Sequence, residues 1–351
     1  MIFKLSMMLR EGFVRDTLWF KVLLCWLFSF GLFSCETENQ KEDEISSVKM
    51  EVFSENLDAA LFACRSVHDV QVFLDKNPYL KSLYFSDMSQ DPSQLASRLY
   101  MILQNPDFQR FHEQLDTLIG NRDSLIVKPL KKAFKRIALS YPDFTPPKIK
   151  FMITGFTGND LYVSDSLIII GLDYFGGPAA RFRPDVYEYQ LARYQKDHIV
   201  TSIVFFMATK YNRMNAADRT LLGDMIGFGK DYVFTQTILP KTPSSLILGL
   251  SESDLNRTYN SQKDIWAYFI AGRLLYEKSD LTKQKYIGER PFTTEIGNKV
   301  PGGIGRWLGW RIVGRFMAHH PEVTLPQLMQ MDNAVNLLQE SGYNGQKDDE
   351  E

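Results

Sequence analysis

Hydrophobic positions recur at helical spacing over most of this chain. Leu57, Leu61 and Phe62 share a face, and Val70, Phe73 and Leu74 form another short run. Leu95, Leu99, Ile102 and Leu103 repeat the spacing, as do Leu115, Leu118 and Ile119. Apolar residues three and four apart turn one stripe toward a core, so Met50–Tyr141 predicts a series of helices. Pro78, Pro92 and Pro106 punctuate the series, and Lys128–Ser140 predicts one more helix, stopped by Tyr141-Pro142 and Pro146-Pro147.

After the double proline the period drops from 3.6 to 2. Ile149, Phe151 and Ile153 alternate with Lys150 and Met152, the pattern of a half-buried strand. Gly155–Asp160 is turn chemistry, and a second strand follows it. Ser166–Leu172 is an almost unbroken apolar run, suited to a strand covered on both faces.

Helical spacing resumes at Pro184. Asp185–Asn212 predicts two helices or one bent one, with Ile199, Ile203, Phe206 and Met207 inward. Asp218 is placed to cap a helix running from Arg219 to about Ile238. Ser251–Asp254 and Ser261–Asp264 have capping-box spacing. Helices are also expected over Ile304–His319, after Pro301-Gly302-Gly303, and over Leu325–Ser341. The pattern reads as α+β, mostly helical, one domain over residues 48–343 with a small β-sheet, followed by a disordered tail at 344–351.

The N-terminus is different. Lys4, Arg10, Arg15 and Lys21 form a basic flank, and Val22–Ser34 carries no charge. That apolar run is too short to span a bilayer, which takes about 20 residues, and suits a signal-peptide core. It ends in Leu32-Phe33-Ser34-Cys35, the order a lipoprotein signal peptidase accepts. Residues 1–34 are therefore expected to be removed and Cys35 to carry a diacylglyceryl anchor. Residues 35–47, acidic and free of aromatics, predict a flexible tether. Met7 and Met8 are alternative starts to Met1.

Composition narrows the function. Removing residues 1–34 takes away four cations and two anions, so the formal charge moves from −2 to −4, no footprint for nucleic acid. With Cys25 in the signal and Cys35 lipidated, Cys64 is left alone. That excludes an internal disulfide and a cysteine zinc site.

Catalytic motifs are missing as well. None of His68, His112, His198, His319 and His320 stands in a His-Glu-x-x-His arrangement, and adjacent His319 and His320 diverge by about 100° on a helix. They read as the cationic end of a helix beside Pro321. No Gly-x-Ser-x-Gly occurs, and Gly302-Gly303-Ile304-Gly305 lacks the Walker lysine. Gly305 and Gly309, four apart, predict the close approach of a neighbouring helix. Asp173, with Asp185 or Asp224, could form a carboxylate pair, although a strand-end aspartate usually binds backbone amides. Arg306, Trp307, Trp310 and Arg311 are either interface anchors or a core helix face, the second being favoured. No metal or cofactor is expected.

Several blocks carry a resemblance in series. They are Gly171-Leu-Asp-Tyr-Phe-Gly-Gly177, Met225-Ile-Gly-Phe-Gly-Lys230, Ile265-Trp-Ala-Tyr-Phe-Ile270, Pro291-Phe292 and Pro301-Gly-Gly-Ile-Gly-Arg-Trp-Leu-Gly-Trp-Arg-Ile-Val313. In this order, behind a lipoprotein signal, the chain resembles the gliding motility-associated lipoprotein GldB family of Bacteroidetes. The resemblance implies a zincin-like fold whose metal site has decayed. Ile199–Ala208 stands where active peptidases carry His-Glu-x-x-His, and Gly229-Lys230 where they carry a later Glu-Gly pair. Ser261-Gln262 replaces the family's Asn-Glu. The resemblance implies a non-catalytic envelope lipoprotein serving gliding or the linked secretion machinery. It would be anchored through Cys35, facing the periplasm, and would bind a protein or glycan. Asp173, Lys230, Trp266, Arg306 and Trp310 are the candidate partner-binding residues. The rival is a metal-independent hydrolase using acidic residues.

Overall fold

The computed structural model describes residues 43–85 and 92–347; the signal segment, Cys35, the first part of the tether and the last four residues lie outside them. Residues 43–47, at the end of the expected tether, are helical. From Met50 onward the chain is a separate compact unit.

Four strands make its sheet: β1 (Ser54–Asn56), β2 (Lys148–Met152), β3 (Leu161–Val163) and β4 (Leu167–Gly171). Their order is β1-β2-β4-β3, with β1, β2 and β4 parallel and β3 antiparallel to β4. Ile168, Ile169 and Ile170 are fully buried, as a strand covered on both faces requires. Met152, expected on the outer face of β2, is also fully buried, because both faces of the sheet are covered near its centre, as the burial of Ile168, Ile169 and Ile170 shows. β1 went unread in the sequence: Ser54, Glu55 and Asn56 are exposed, so no apolar alternation marks it. It is a strand because its neighbours' backbone groups pair with β2, through Ile149 N–H to Phe53 O and Leu57 N–H to Phe151 O.

Fifteen α-helices follow Met50 among the described residues. They are α1 (Asp58–Phe62), α2 (Val67–Lys76), α3 (Pro92–Leu103), α4 (Pro106–Ile119), α5 (Lys128–Ser140), α6 (Glu188–Leu191) and α7 (His198–Tyr211). Next come α8 (Leu221–Ile238), α9 (Ser244–Leu248), α10 (Glu252–Asn260), α11 (Gln262–Ala271), α12 (Asp280–Ile287), α13 (Ile304–His319), α14 (Leu325–Gln330) and α15 (Ala334–Ser341). The α+β, mostly helical reading holds.

Helix α8 is buried nearly all round, from Leu221 to Ile238, and α7, α13, α14 and α15 pack on it. Its start differs from expectation. Thr220, not Asp218, is the cap: its hydroxyl accepts from Gly223 N–H, while Asp218 accepts from Thr220 N–H and hydroxyl and holds the cap in place. Ser251 caps α10 as expected, but Ser261 makes no side-chain cap on α11: it closes α10 at φ −102°, ψ 6°, not in the extended conformation of a capping residue. Leu325–Ser341 is two helices, broken at Met331, with Asn333 capping the second.

Candidate functional site

The parallel strands deliver three polar residues past their carboxyl ends: Asp58 after β1, Thr154 after β2 and Asp173 after β4. Open parallel sheets place ligand crevices at this edge. Here the edge is sealed. Asp173 is 1% exposed, and its Oδ2 accepts from Thr154 N–H (3.0 Å) and Phe156 N–H (2.8 Å). Those amides converge because Gly155 and Phe156 both take positive φ, at 66° and 61°. Phe156 pays a strain that the carboxylate bonds offset. Asp173 therefore behaves as the strand-end aspartate weighed above. Beside it, Asp173, Tyr174 and Tyr194 border a dent with no room for a water molecule.

Asp58 is equally buried and meets Arg122 at 2.8 Å, and Arg122 also holds Asp116 at 2.8 Å. Burial nevertheless pushes the Asp58 carboxyl up to about 6, against the pull of Arg122. Burial pushes Asp173 up as well, against its amide bonds. Sequence reading missed the Asp58–Arg122 pair, since it hangs on the unread strand β1.

A second group lies where α8 crosses α13. A Cβ on Gly309 would stand 1.7 Å from Met225 O, and one on Gly229 would stand 2.3 Å from Gly309 O. Gly309 thus admits α8 backbone to backbone, as its spacing from Gly305 anticipated. Lys230 is fully buried, and its Nζ donates to Arg213 O (2.8 Å) and Met331 O (2.7 Å). It ties the exit of α7 to the break between α14 and α15. Burial lowers its ammonium to about 8 and raises neighbouring Asp231, which accepts from Asn212 (2.9 Å), to about 7.

Arg306 donates to Ile287 O and lies 4.4 Å over the Phe228 ring. Trp310 is buried and donates to Gln236 (3.1 Å), with Tyr259 edge-on to it and to Trp307. Trp266 is buried against Tyr343, rings 5.2 Å apart. Lys230, Arg306 and Trp310 share the α8–α13 crossing; Asp173 belongs to the sheet and Trp266 to α11. As they sit, Asp173, Lys230, Trp266 and Trp310 expose almost no surface to a partner.

An open cleft lies elsewhere, between the end of β3 and the second half of α7. It has a volume of about 170 Å³ and is walled by Phe144, Val163, Phe206, Met207 and Tyr211. Lys210 and Asp165 pair across it at 2.9 Å. Phe206, expected inward from its helical phase, is half exposed here, because Ile203, Val204 and Met207 already fill the inner face of α7. No helix among the described residues is long and apolar enough to cross a membrane.

Comparison with known proteins gives no match among curated proteins or solved structures. The profile of one family, described as gliding motility protein GldB and typed as a lipoprotein family, matches residues 38–345. That span takes in the sheet, the α8–α13 crossing and the cleft, so the chain belongs to the GldB family of gliding-motility lipoproteins.

Proposed function

We propose that this chain is a lipid-anchored, non-catalytic envelope protein that serves gliding or the linked secretion machinery by binding a protein or glycan partner. Its anchor is the diacylglyceryl group on Cys35, exposed when cleavage follows Ser34. The 22–34 apolar run and the Leu-Phe-Ser-Cys order support that anchor, and a lipoprotein family agrees with it.

The internal use of the ionisable groups carries the non-catalytic half. Asp173 is held by two amides and Lys230 by two carbonyls, each buried, so neither faces a substrate. The stretch Ile199–Ala208 of α7, where the zincin resemblance would place metal ligands, carries no histidine and no carboxylate.

Intact-mass measurement on protein taken from native membranes tests the anchor. A diacylglyceryl adduct on Cys35 is expected, and an unmodified thiol there overturns it. The hydrolase reading draws on Asp58 and Asp173, two buried carboxyls that hold protons unusually well. Turnover on a peptide and glycan panel, abolished in Asp173→Asn while folding persists, would establish that reading in place of ours.

A further inference from the structure

Strand β3 ends the sheet, and among the described residues no further strand pairs with its outer side. The hydrogen bonds fix which groups face outward. Gly171 N–H donates to Asp160 O and Ser164 N–H to Leu167 O, so residues 160, 162 and 164 pair with β4. In an antiparallel ladder the intervening residues turn their backbone groups away. Leu161 N–H is satisfied locally, by Asp160 Oδ1 at 2.7 Å. That leaves Leu161 C=O, Val163 N–H and Val163 C=O directed off the edge, the template to which another extended chain adds.

The cleft lies at this strand's end, and Val163 belongs to both: its backbone faces the free edge and the residue lines the cleft. Side chains directly opposite each other across a strand pair share a face. A residue docked opposite Val163 therefore points toward Phe144, Phe206, Met207 and Tyr211. Ligand pockets usually hold about 300–1,000 Å³. The cleft's 170 Å³ suits one apolar side chain and is small for a sugar chain or a nucleotide. Lys210 and Asp165, paired with each other and with side chains 49% and 69% exposed, stand at its rim.

We infer that β3 and this cleft receive an extended peptide segment of the partner, which pairs with the backbone of Leu161 and Val163 and seats one apolar side chain among Phe206, Met207 and Tyr211. Main-chain pairing supplies affinity and the seated side chain supplies selectivity, as in other strand-addition sites. This rests on the partner-binding reading above and gives that partner a chemistry.

The test uses full-length lipidated protein in detergent, screened against a displayed library of random ten-residue peptides. Enriched peptides are expected to share one large apolar position. Methylating the peptide nitrogen that meets the edge should weaken binding at least tenfold. Val163→Pro removes an outward N–H that edge strands can spare and exchanges one apolar side chain for another, and Phe206→Asp alters a half-exposed side chain. Both should keep the wild-type melting temperature and lose at least tenfold in peptide affinity. No enrichment, or enriched peptides that bind both variants as well as wild type, overturns the inference. A cross-linked partner captured equally by wild type and both variants would sink this site and leave the broader binding reading standing. Turnover of the enriched peptides would sink that broader reading instead.

Discussion

At the scale of single residues, Lys230 is tightly constrained: it is fully buried and both of its hydrogen-bond acceptors are main-chain carbonyls. A fully buried ammonium is costly unless its donors are engaged, and two carbonyls from separate chain segments engage this one. Lys230→Met keeps the length and removes the donors, leaving Arg213 O and Met331 O short of a partner. Arg213 also takes a backbone bond to Met329 O through its own N–H, so this junction would loosen as a unit. A loss of about 2–4 kcal/mol is expected from two buried acceptors. Chemical denaturation at constant pH measures it. A loss below about 1 kcal/mol would mean that water replaces the ammonium.

At the scale of elements, the helix α8 depends on two glycines as much as on its apolar residues. Gly309→Ala would drive a methyl into Met225 O, a backbone atom that cannot turn aside. The helices must part, and the melting temperature is expected to fall by more than 5 °C, on the order of 2–4 kcal/mol. Gly314, on the same helix, meets nothing within 4 Å, so Gly314→Ala is the control and should be neutral or slightly stabilising. Equal losses in the two would refute close approach as the cause.

This crossing was legible in the sequence because four-residue glycine spacing and an uninterrupted apolar helix are local signals. Ile304–His319 and Lys128–Ser140 were read to the residue for the same reason. Three things were not local. Strand β1 exists only through pairing with a segment almost a hundred residues away. The break at Met331 coincides with a long-range contact, Lys230 on its carbonyl, that the local pattern does not carry. Trp266, Arg306 and Trp310 look alike as interface anchors or as core, and only packing decides. The cleft escaped notice altogether, since an unpaired strand edge leaves no mark on residue type.

At the scale of the whole folded unit, buried charge gives stability an unusual dependence on pH. Three buried carboxyls bind protons more tightly folded than unfolded: Asp58 up to about 6, Asp231 up to about 7, and Asp173 in the same direction. Against an unfolded value of about 3.9, their contribution is complete below pH 4 and is lost as pH rises through 6 and 7. Lys230 runs the other way. Its folded value of about 8 lies below the unfolded 10.4 or so, and stability returns as pH climbs between them. Burial also lowers His112 and His198, which trims the gain from the carboxyls below pH 6.5 or so. The two trends leave a minimum between about pH 7 and 8, where Asp231 is ionised and Lys230 is charged inside the same core. Melting curves at pH 6.5, 7.5 and 9.5 and fixed ionic strength should therefore dip at 7.5. Asp231→Asn keeps the bonding distance to Asn212 and removes the charge, so it should raise the pH 7.5 value by on the order of 5 °C and flatten the acid side. A maximum at pH 7.5, lowered by Asp231→Asn, would mean that Lys230 and Asp231 stabilise each other as an ion pair strongly enough to outweigh their desolvation.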